Sequence, residues 1–402
     1  MGIDNVDKDR DLICQVMEVE LELLRKLKEL CEKHGLQMYM IYGTLLGAVR
    51  HQGIIPGDDD IDIAMPREDY DKLLKLEGAF SGEYFLQTPW NDNCFYGGFL
   101  KLRKKNTTAI HPQNWWVDCC EGIGIDIFPL DNGYCNKIKE WFKEKRICFY
   151  QRMLYAKAYG YFKRFRDIPF LIWKGYRYLG KLFTRAQLAD RLNKIMSSGD
   201  TVQAAPFGIY AHYTSGKRFQ NLDREAFSEK ITLPFEDMWL EAPAGYDELL
   251  SKRYEEDYMQ IPLHQEDKCR HGFYVVDESY ENYKRRFRGL FRPEPKGRDI
   301  ILAGDEVMFK IFLKYQQKYK PKVFIDLFGK EDRKEIGDIP VEPLEYLDSL
   351  DKSKIYLVIC SVDIRRAEKK VRSMNYRDYY IYVWNRNWLL MADPKYALKD
   401  MS

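Results

Sequence analysis

Residues 42–66, YGTLLGAVRHQGIIPGDDDIDIAMP, constrain the fold of this chain more than any other stretch. Asp58, Asp59, Asp60 and Asp62 lead into an acid–isoleucine alternation. Successive strand side chains point to opposite faces, so Asp60 and Asp62 are expected on one face and Ile61 and Ile63 on the other. A solvated acidic loop would be a continuous block, whereas the alternation favours a half-buried strand. Adjacent carboxylates repel unless a cation lies between them, and hard oxygen ligands suit Mg²⁺, with Mn²⁺ an alternative. Asp58 falls on the same face and is a possible further ligand. A helix-loop-helix calcium loop is excluded, because it needs glycine where Ile63 stands and glutamate where Asp69 stands;.

The surrounding chain supplies the frame. Apolar positions at helical spacing (Val16, Val19, Leu23, Leu24, Leu27, Leu30, Cys31) predict a helix over residues 8–34, stopped at Gly35;. Met38–Tyr42 reads as a strand delivering Gly43 and Thr44 in a turn. Leu45–Arg50 then reads as a short helix whose backbone N–H groups favour an anion such as phosphate. After a helix over about 67–78, residues 95–103, FYGGFLKLR, read as a strand with Lys101 and Arg103 on one side. That pair of cations either neutralises nearby carboxylates or clamps the diphosphate of a nucleotide donor. Residues 122–130, GIGIDIFPL, read as the next strand, in which Asp126 interrupts an apolar run. Buried acids are uncommon unless paired or metal-bound, so Asp126 is the natural third carboxylate beside Asp60 and Asp62. Three acids on neighbouring strands can hold two Mg²⁺ ions, with one acid left to accept a proton from an attacking hydroxyl.

The segments YGTLLGAVRHQGIIPGDDDIDIAMPREDYDKL, LKLRKKNT, GIDIFPLD and PFEDMW…YDELLSKRYEEDYMQIP resemble the LicD family. Its members are phosphocholine transferases of bacterial surface glycans and are similar to fukutin-type ribitol-phosphate transferases. The resemblance implies an α+β nucleotidyltransferase-like domain over residues 1–283, with Gly43 and Thr44 as the phosphate turn. It also implies Asp60 and Asp62 as the metal pair, Asp126 as the third acid, and Arg50, Lys101 and Arg103 on the donor phosphates. A CDP-alcohol donor follows, CDP-choline foremost, with a surface glycan or its lipid-linked precursor as acceptor and CMP as leaving group. Nucleotidyl transfer, Asp-x-Asp glycosyl transfer and a non-enzymatic scaffold are the rival readings.

Within that domain, residues 137–200 read as a basic helical insertion. Residues 137–185 carry fourteen Lys or Arg against three acids, interleaved with aromatics and broken at Gly160, Pro169, Gly175 and Gly180. The segment is either a solvated basic face or a surface that meets an anionic membrane or a polyanionic acceptor. Cys119, Cys120, Cys94, Cys135 and His111 lack zinc-ligand spacing, so the cysteines read as core. The aromatics near 206–262 could cage a quaternary ammonium but read first as core, and His264 and His271 take no assigned role. Residues 284–298 read as a linker. Beyond them, strands at Ile300–Ala303, Lys322–Asp326, Ile355–Cys360 and Tyr379–Val383 predict a small Rossmann-like α/β domain over 299–402. Its first turn, Ala303-Gly304-Asp305-Glu306, is a poor phosphate cradle, so a structural or partner-binding role is favoured, although Asp326 stands where a ribose-binding acid would.

Composition bounds the rest. The chain has 402 residues with 45% hydrophobic content, enough for two cores, and a net charge of +2, which gives no sign of nucleic-acid binding;. Nine cysteines without a CxxC pair, an acidic start unlike a signal peptide and no long apolar run predict a cytoplasmic protein, peripheral to the membrane at most;.

Overall fold

A 32-residue helix, α1 (Ile3–His34), opens the chain, and its buried side chains Val16, Glu20, Leu23, Leu24, Leu27 and Cys31 recur at helical spacing;. Gly35, at φ +62°, ends it in the left-handed conformation that glycine adopts without strain;. The computed structural model describes residues 3–92, 95–111, 114, 117–159, 170–211, 220–261, 273–291, 297–315, 319–329, 335–361 and 363–382. The chain divides into two units, Met1–Tyr280 and Glu281–Ser402.

In the first unit α1 is followed by β1 (Tyr39–Met40), α2 (Tyr42–His51), β2 (Asp62–Pro66), α3 (Arg67–Lys75), β3 (Tyr84–Gln87), β4 (Leu100–Lys104), β5 (Thr108–Ile110) and β6 (Ile123–Asn132). Then come α4 (Lys137–Tyr159), α5 (Phe170–Lys181), α6 (Arg185–Met196), β7 (Phe207–Ile209), β8 (Gln220–Leu222), β9 (Lys230–Phe235), β10 (Met238–Pro243), α7 (Tyr246–Tyr254) and β11 (Phe273–Val275). The main sheet runs β1-β2-β6-β4-β3, and β7 and β8 continue it from the far end of β6. Strands β2 and β6 are parallel, while β1 on β2 and β4 on β6 are antiparallel.

One face of this sheet presents Ile63, Ile125, Ile127, Leu100 and Leu102 to a core shared with Leu23, Leu24 and Leu27 of α1 and Tyr70 and Leu73 of α3. The opposite face carries Ala64, Phe99, Phe128 and Leu130 in a second, aromatic-rich cluster. A buried ion pair ties α3 to β6 and α6. Arg67 at the start of α3 donates two 2.7 Å hydrogen bonds to the two oxygens of Asp131 on β6, and a third, 2.8 Å, to Asn193 of α6. The Asp131 side chain has no exposure, so its charge depends on that guanidinium;. Helices α4 and α6 enclose a separate core with Ile147, Leu154, Leu188, Leu192 and Tyr210.

Several boundaries differ from the sequence reading. The acidic strand starts at Asp62, and Asp58–Ile61 is irregular, because β1 is two residues long and pairs no further back than Ile63. Gly43 and Thr44 are not a separate turn: they lie in the first turn of α2, and the chain turns at Tyr42, with φ +53°. The strand expected over 95–103 is ordered as β4 from Leu100, after Gly97-Gly98;. Residues 284–291, expected as linker, belong to helix α8 (Tyr280–Phe291). Lys284 and Arg286 are buried there, and Tyr283 donates to Glu368 at 2.9 Å.

The second unit continues from α8 with β12 (Asp299–Gly304), α9 (Glu306–Tyr315), β13 (Val323–Asp326), β14 (Glu335–Ile336), β15 (Ile339–Pro343), β16 (Ile355–Cys360), α10 (Ile364–Ser373) and β17 (Tyr380–Ile381). Its sheet runs β14-β15-β13-β12-β16-β17, parallel except for β14. Both units are of the α/β class. The β14–β15 hairpin was not anticipated, although its Gly337-Asp338 turn, with both residues at positive φ, is a legible signal;. Gly304 is explained by strand packing, since a Cβ there would meet the Cys360 carbonyl of β16. Asp326 caps its own turn, accepting from the backbone N–H of Phe328 (2.8 Å) and Gly329 (3.1 Å). Cys94, Gly160, Pro169, His264, His271 and residues from 383 onward lie outside the described residues.

Candidate active site

The register of three strands builds the site. Asp62 on β2 pairs directly with Asp126 on β6, and Asp126 pairs with Lys101 on β4. Paired residues on neighbouring strands project to the same face about 4.8 Å apart. Asp62, Asp126 and Lys101 therefore form one row across the sheet, and all three are half-buried. Lys101 closes an ion pair with Asp126. The Ile61 carbonyl accepts the Asp126 backbone N–H at 2.9 Å, which continues the ladder one step beyond β2 and fixes the two acids relative to each other.

The first turn of α2 abuts this row. Thr44 Oγ1 accepts the Asp62 backbone N–H at 2.8 Å, so the helix start and the strand start are locked together. Gly43 lies close against Asp58, since a Cβ there would stand 3.0 Å from Asp58 Oδ2. The N-cap residue, Ile41, offers no side-chain hydrogen bond, and the first turn holds no acid of its own. A helix start of this kind carries unsatisfied N–H groups and favours negative charge beside it.

Asp58, Asp59 and Asp60 hold oxygens that all lie within 4.8 Å of one another. The irregular backbone gives them different surroundings. Asp59 is buried and accepts the Tyr274 hydroxyl at 2.9 Å, while Asp58 lies by Gly43. Burial, followed by the Asp60 and Asp126 carboxylates, pushes the Asp62 carboxyl well above its ordinary range, with Lys101 opposing;. Glu20, on α1, joins them from a buried position. It is 2% exposed and its Oε2 has no hydrogen-bond partner. Burial, then Asp60 and Asp59, raises its pKa well above the usual value. The donor set is thus an excess of carboxylate oxygen against one lysine, the ligand chemistry of hard divalent cations.

The remaining candidate cations divide. Lys101 is at the acids. Arg103 lies two residues along β4, but it is 3% exposed, and its guanidinium donates at 2.5 Å to Gln87 Oε1 and to the Gly122 carbonyl. That makes it a brace for the sheet, not a clamp facing a ligand. Arg50 is carried about 10 Å along α2 from Gly43, where it donates to the Tyr258 and Gln260 carbonyls at 2.8 and 3.3 Å. The structure does not bring it to the carboxylates.

Sequence reasoning missed three residues here. Arg253, exposed at the end of α7, lies 4.0 Å over the Tyr42 ring. Tyr254 beside it feels the Asp62 and Asp58 charges, although burial is the main cause of its raised pKa. Both lie in YDELLSKRYEEDYMQIP, whose aromatics read first as core and whose Arg253 takes no role in the sequence reading. Glu20 was legible as an acid on the otherwise apolar stripe Val16–Leu23–Leu27. The loop entering the acids is braced by the β9–β10 hairpin. Glu236 at its tip accepts the Ile54 N–H, and its own N–H donates to the Gln52 carbonyl, both at 2.9 Å. Cys119 and Cys120 are buried and Cys135 is exposed.

Residues 35–163 match the family model described as LicD/FKTN/FKRP, nucleotidyltransferase domain. The lipopolysaccharide cholinephosphotransferase LicD of Haemophilus influenzae is 25% identical over 286 residues, 68% of this chain and 97% of that protein. The human ribitol 5-phosphate transferase FKRP is 25% identical over 151 residues, which is 37% of this chain and 30% of the relative. An uncharacterised protein of Rickettsia prowazekii is 52% identical over 59 residues, covering 15% of this chain and 22% of its own length. All the carboxylates of the site except Glu20 lie inside the matched stretch. Residues 35–163 thus carry a domain of the LicD/FKTN/FKRP type, and the chain is similar to two transferases that share it.

Proposed function

We propose that this chain transfers a phospho-alcohol to a hydroxyl of a glycan, with a CDP-alcohol as donor and CDP-choline the first choice. The observation that carries the reading is the row Asp62–Asp126–Lys101 beside the first turn of α2. It is supported by the names of the two transferases to which the chain is similar. An acceptor hydroxyl attacks the phosphorus next to the transferred alcohol, the bond from that phosphorus to the CMP oxygen breaks, and CMP leaves. Asp126, beside Lys101, would either take the hydroxyl proton or bind a second metal ion;. The N–H groups of α2 and the exposed Arg253 would hold the donor phosphates, the role expected of Arg50 and Arg103;.

Asp60, Asp62 and Asp126 would hold Mg²⁺, with Asp58 adjoining. The unpartnered Glu20 oxygen and the displaced Asp62 pKa are the signs of uncompensated negative charge that fit it. A bound divalent cation supplies charge neutralisation on the donor diphosphate. The first unit reads as a nucleotidyltransferase-type fold. The second reads as Rossmann-like, since its parallel strands take the order 3-2-1-4-5 of doubly wound sheets;.

The test incubates the protein with several CDP-alcohols, Mg²⁺ and a candidate glycan, and identifies the products. CMP with a phosphodiester-modified acceptor is expected. Release of the phospho-alcohol with a nucleotidylated acceptor would indicate nucleotidyl transfer instead. Absence of any donor-dependent product across the set would overturn the assignment.

A further inference from the structure

Helix α5 is amphipathic in the wrong sense for a helix that serves only to cover a core. At 100° per residue, Trp173 and Gly180 mark its packed side, where Trp173 meets Tyr155 of α4 at 5.9 Å. Roughly opposite, an arc of about 120° holds Leu171, Ile172, Tyr178 and Leu179. Leu171 is 77% exposed, Tyr178 70% and Ile172 53%, and Leu182 just past the helix is 65% exposed. Buried apolar side chains contribute about 1.5–3 kcal/mol each to folding, so four left in water on one side need a use outside the fold.

Charge lies along one flank of that arc. Lys174 and Lys181 are exposed and Arg177 is half-buried, and α5 contains no acid at all. The same surface extends onto α4. Positions 138, 142, 145, 149 and 152 recur at helical spacing, and Phe149 and Arg152 touch Tyr176 of α5;. Ile138 (68% exposed) and Phe142 (56%) therefore lie on the side of α4 that carries α5, with Lys145 exposed beside them. The acid Glu140 is turned inward, accepting the Tyr210 hydroxyl at 2.5 Å.

We propose that this face docks on the surface of an anionic phospholipid bilayer, the arc of α5 entering the headgroup–acyl boundary and the lysines meeting lipid phosphates. The pattern of an apolar arc with a basic flank is that of helices lying in the membrane interface. No helix among the described residues is long and apolar enough to cross a membrane, so the contact is peripheral. A second copy of the chain is a poorer occupant, because a symmetric contact would set the acid-free basic flank near its own copy. The inference is independent of the transfer reaction, since it concerns binding alone.

Co-sedimentation with vesicles of phosphatidylcholine, with and without phosphatidylglycerol, tests it on the full chain. Binding is expected with phosphatidylglycerol at low salt and is expected to weaken as salt rises. Two double variants at exposed positions separate the contributions, with melting temperature as the folding control. Lys174→Gln with Lys181→Gln should lower partitioning about thirtyfold. Leu171→Ser with Leu182→Ser should lower it at least tenfold or so. Equal binding to both vesicle types, no binding to either, or partitioning unchanged in the leucine variant would overturn the proposal. So would a dimer that the leucine variant dissociates and that binds no lipid, since the face would then be an interface between copies.

Discussion

Asp62 and Glu20 set the electrostatics of the site, and their behaviour can be checked apart from any reaction. Both carboxyls are raised, chiefly by burial. Between the ordinary carboxyl pKa near about 4.5 and the raised native value, the folded chain holds a proton that the unfolded chain has lost. Stability supplied by these groups therefore falls as pH rises through that window. In chelator, the protein is expected to melt higher at about pH 5 than at about pH 7, and Glu20→Gln should narrow the gap while adding roughly 1 kcal/mol at neutral pH. A wider gap, or a destabilised variant, would contradict the burial argument. The two arginines give an opposed pair. Arg103→Ala should cost about 2 kcal/mol or more in a denaturant titration, because it strands buried partners;. Arg253→Ala should leave the melting temperature unchanged and raise the donor KM about tenfold. The lesson for reading such a sequence lies in Arg103 and Glu20. Alternation correctly put Lys101 and Arg103 on one face, but whether a cation on that face meets solvent depends on Gln87 and Gly122, which come from elsewhere in the chain.

At the scale of elements, two acid–isoleucine alternations predicted neighbouring strands, while the parallel sense of β2 on β6 was not legible in them. Asp126 beside Asp62 is the expectation that the register bears out most directly. The irregular run Asp58–Ile61 was not legible, because it is dictated by the two-residue length of β1, the Glu236 brace and the Tyr274 hydroxyl on Asp59. The same motif also hides a structural acid. Asp131 lies five residues beyond Asp126 and so faces the other side of the sheet, where it binds Arg67;. Asp131→Ala is expected to destabilise by about 3 kcal/mol, since it removes the bidentate partner of a largely buried guanidinium and leaves it only Asp71, at 3.3 Å, and Asn193;. Denaturant unfolding measures this directly. A loss under about 1 kcal/mol would mean that the pair is not the tie between α3, β6 and α6 proposed for it.

At the scale of the molecule, the change from a mixed sheet to a parallel sheet was visible beyond residue 298 as alternating strands and helices, while α8, which opens the second unit at residue 281, was obscured by its basic, Pro/Gly-flanked sequence. The family match lies in the first unit, and the chemistry proposed for the chain rests on carboxylates drawn from β2, β6 and the segment before β2. Asp126→Asn tests that dependence with minimal change of shape. The measurement is CMP release from the preferred CDP-alcohol, for wild type with Mg²⁺, wild type in chelator, and the variant with Mg²⁺, each with a melting curve. The account predicts release by the first sample alone, with the loss in the folded variant at least about 10²-fold. Release at the wild-type rate by folded Asp126→Asn, or by wild type in chelator, would contradict it.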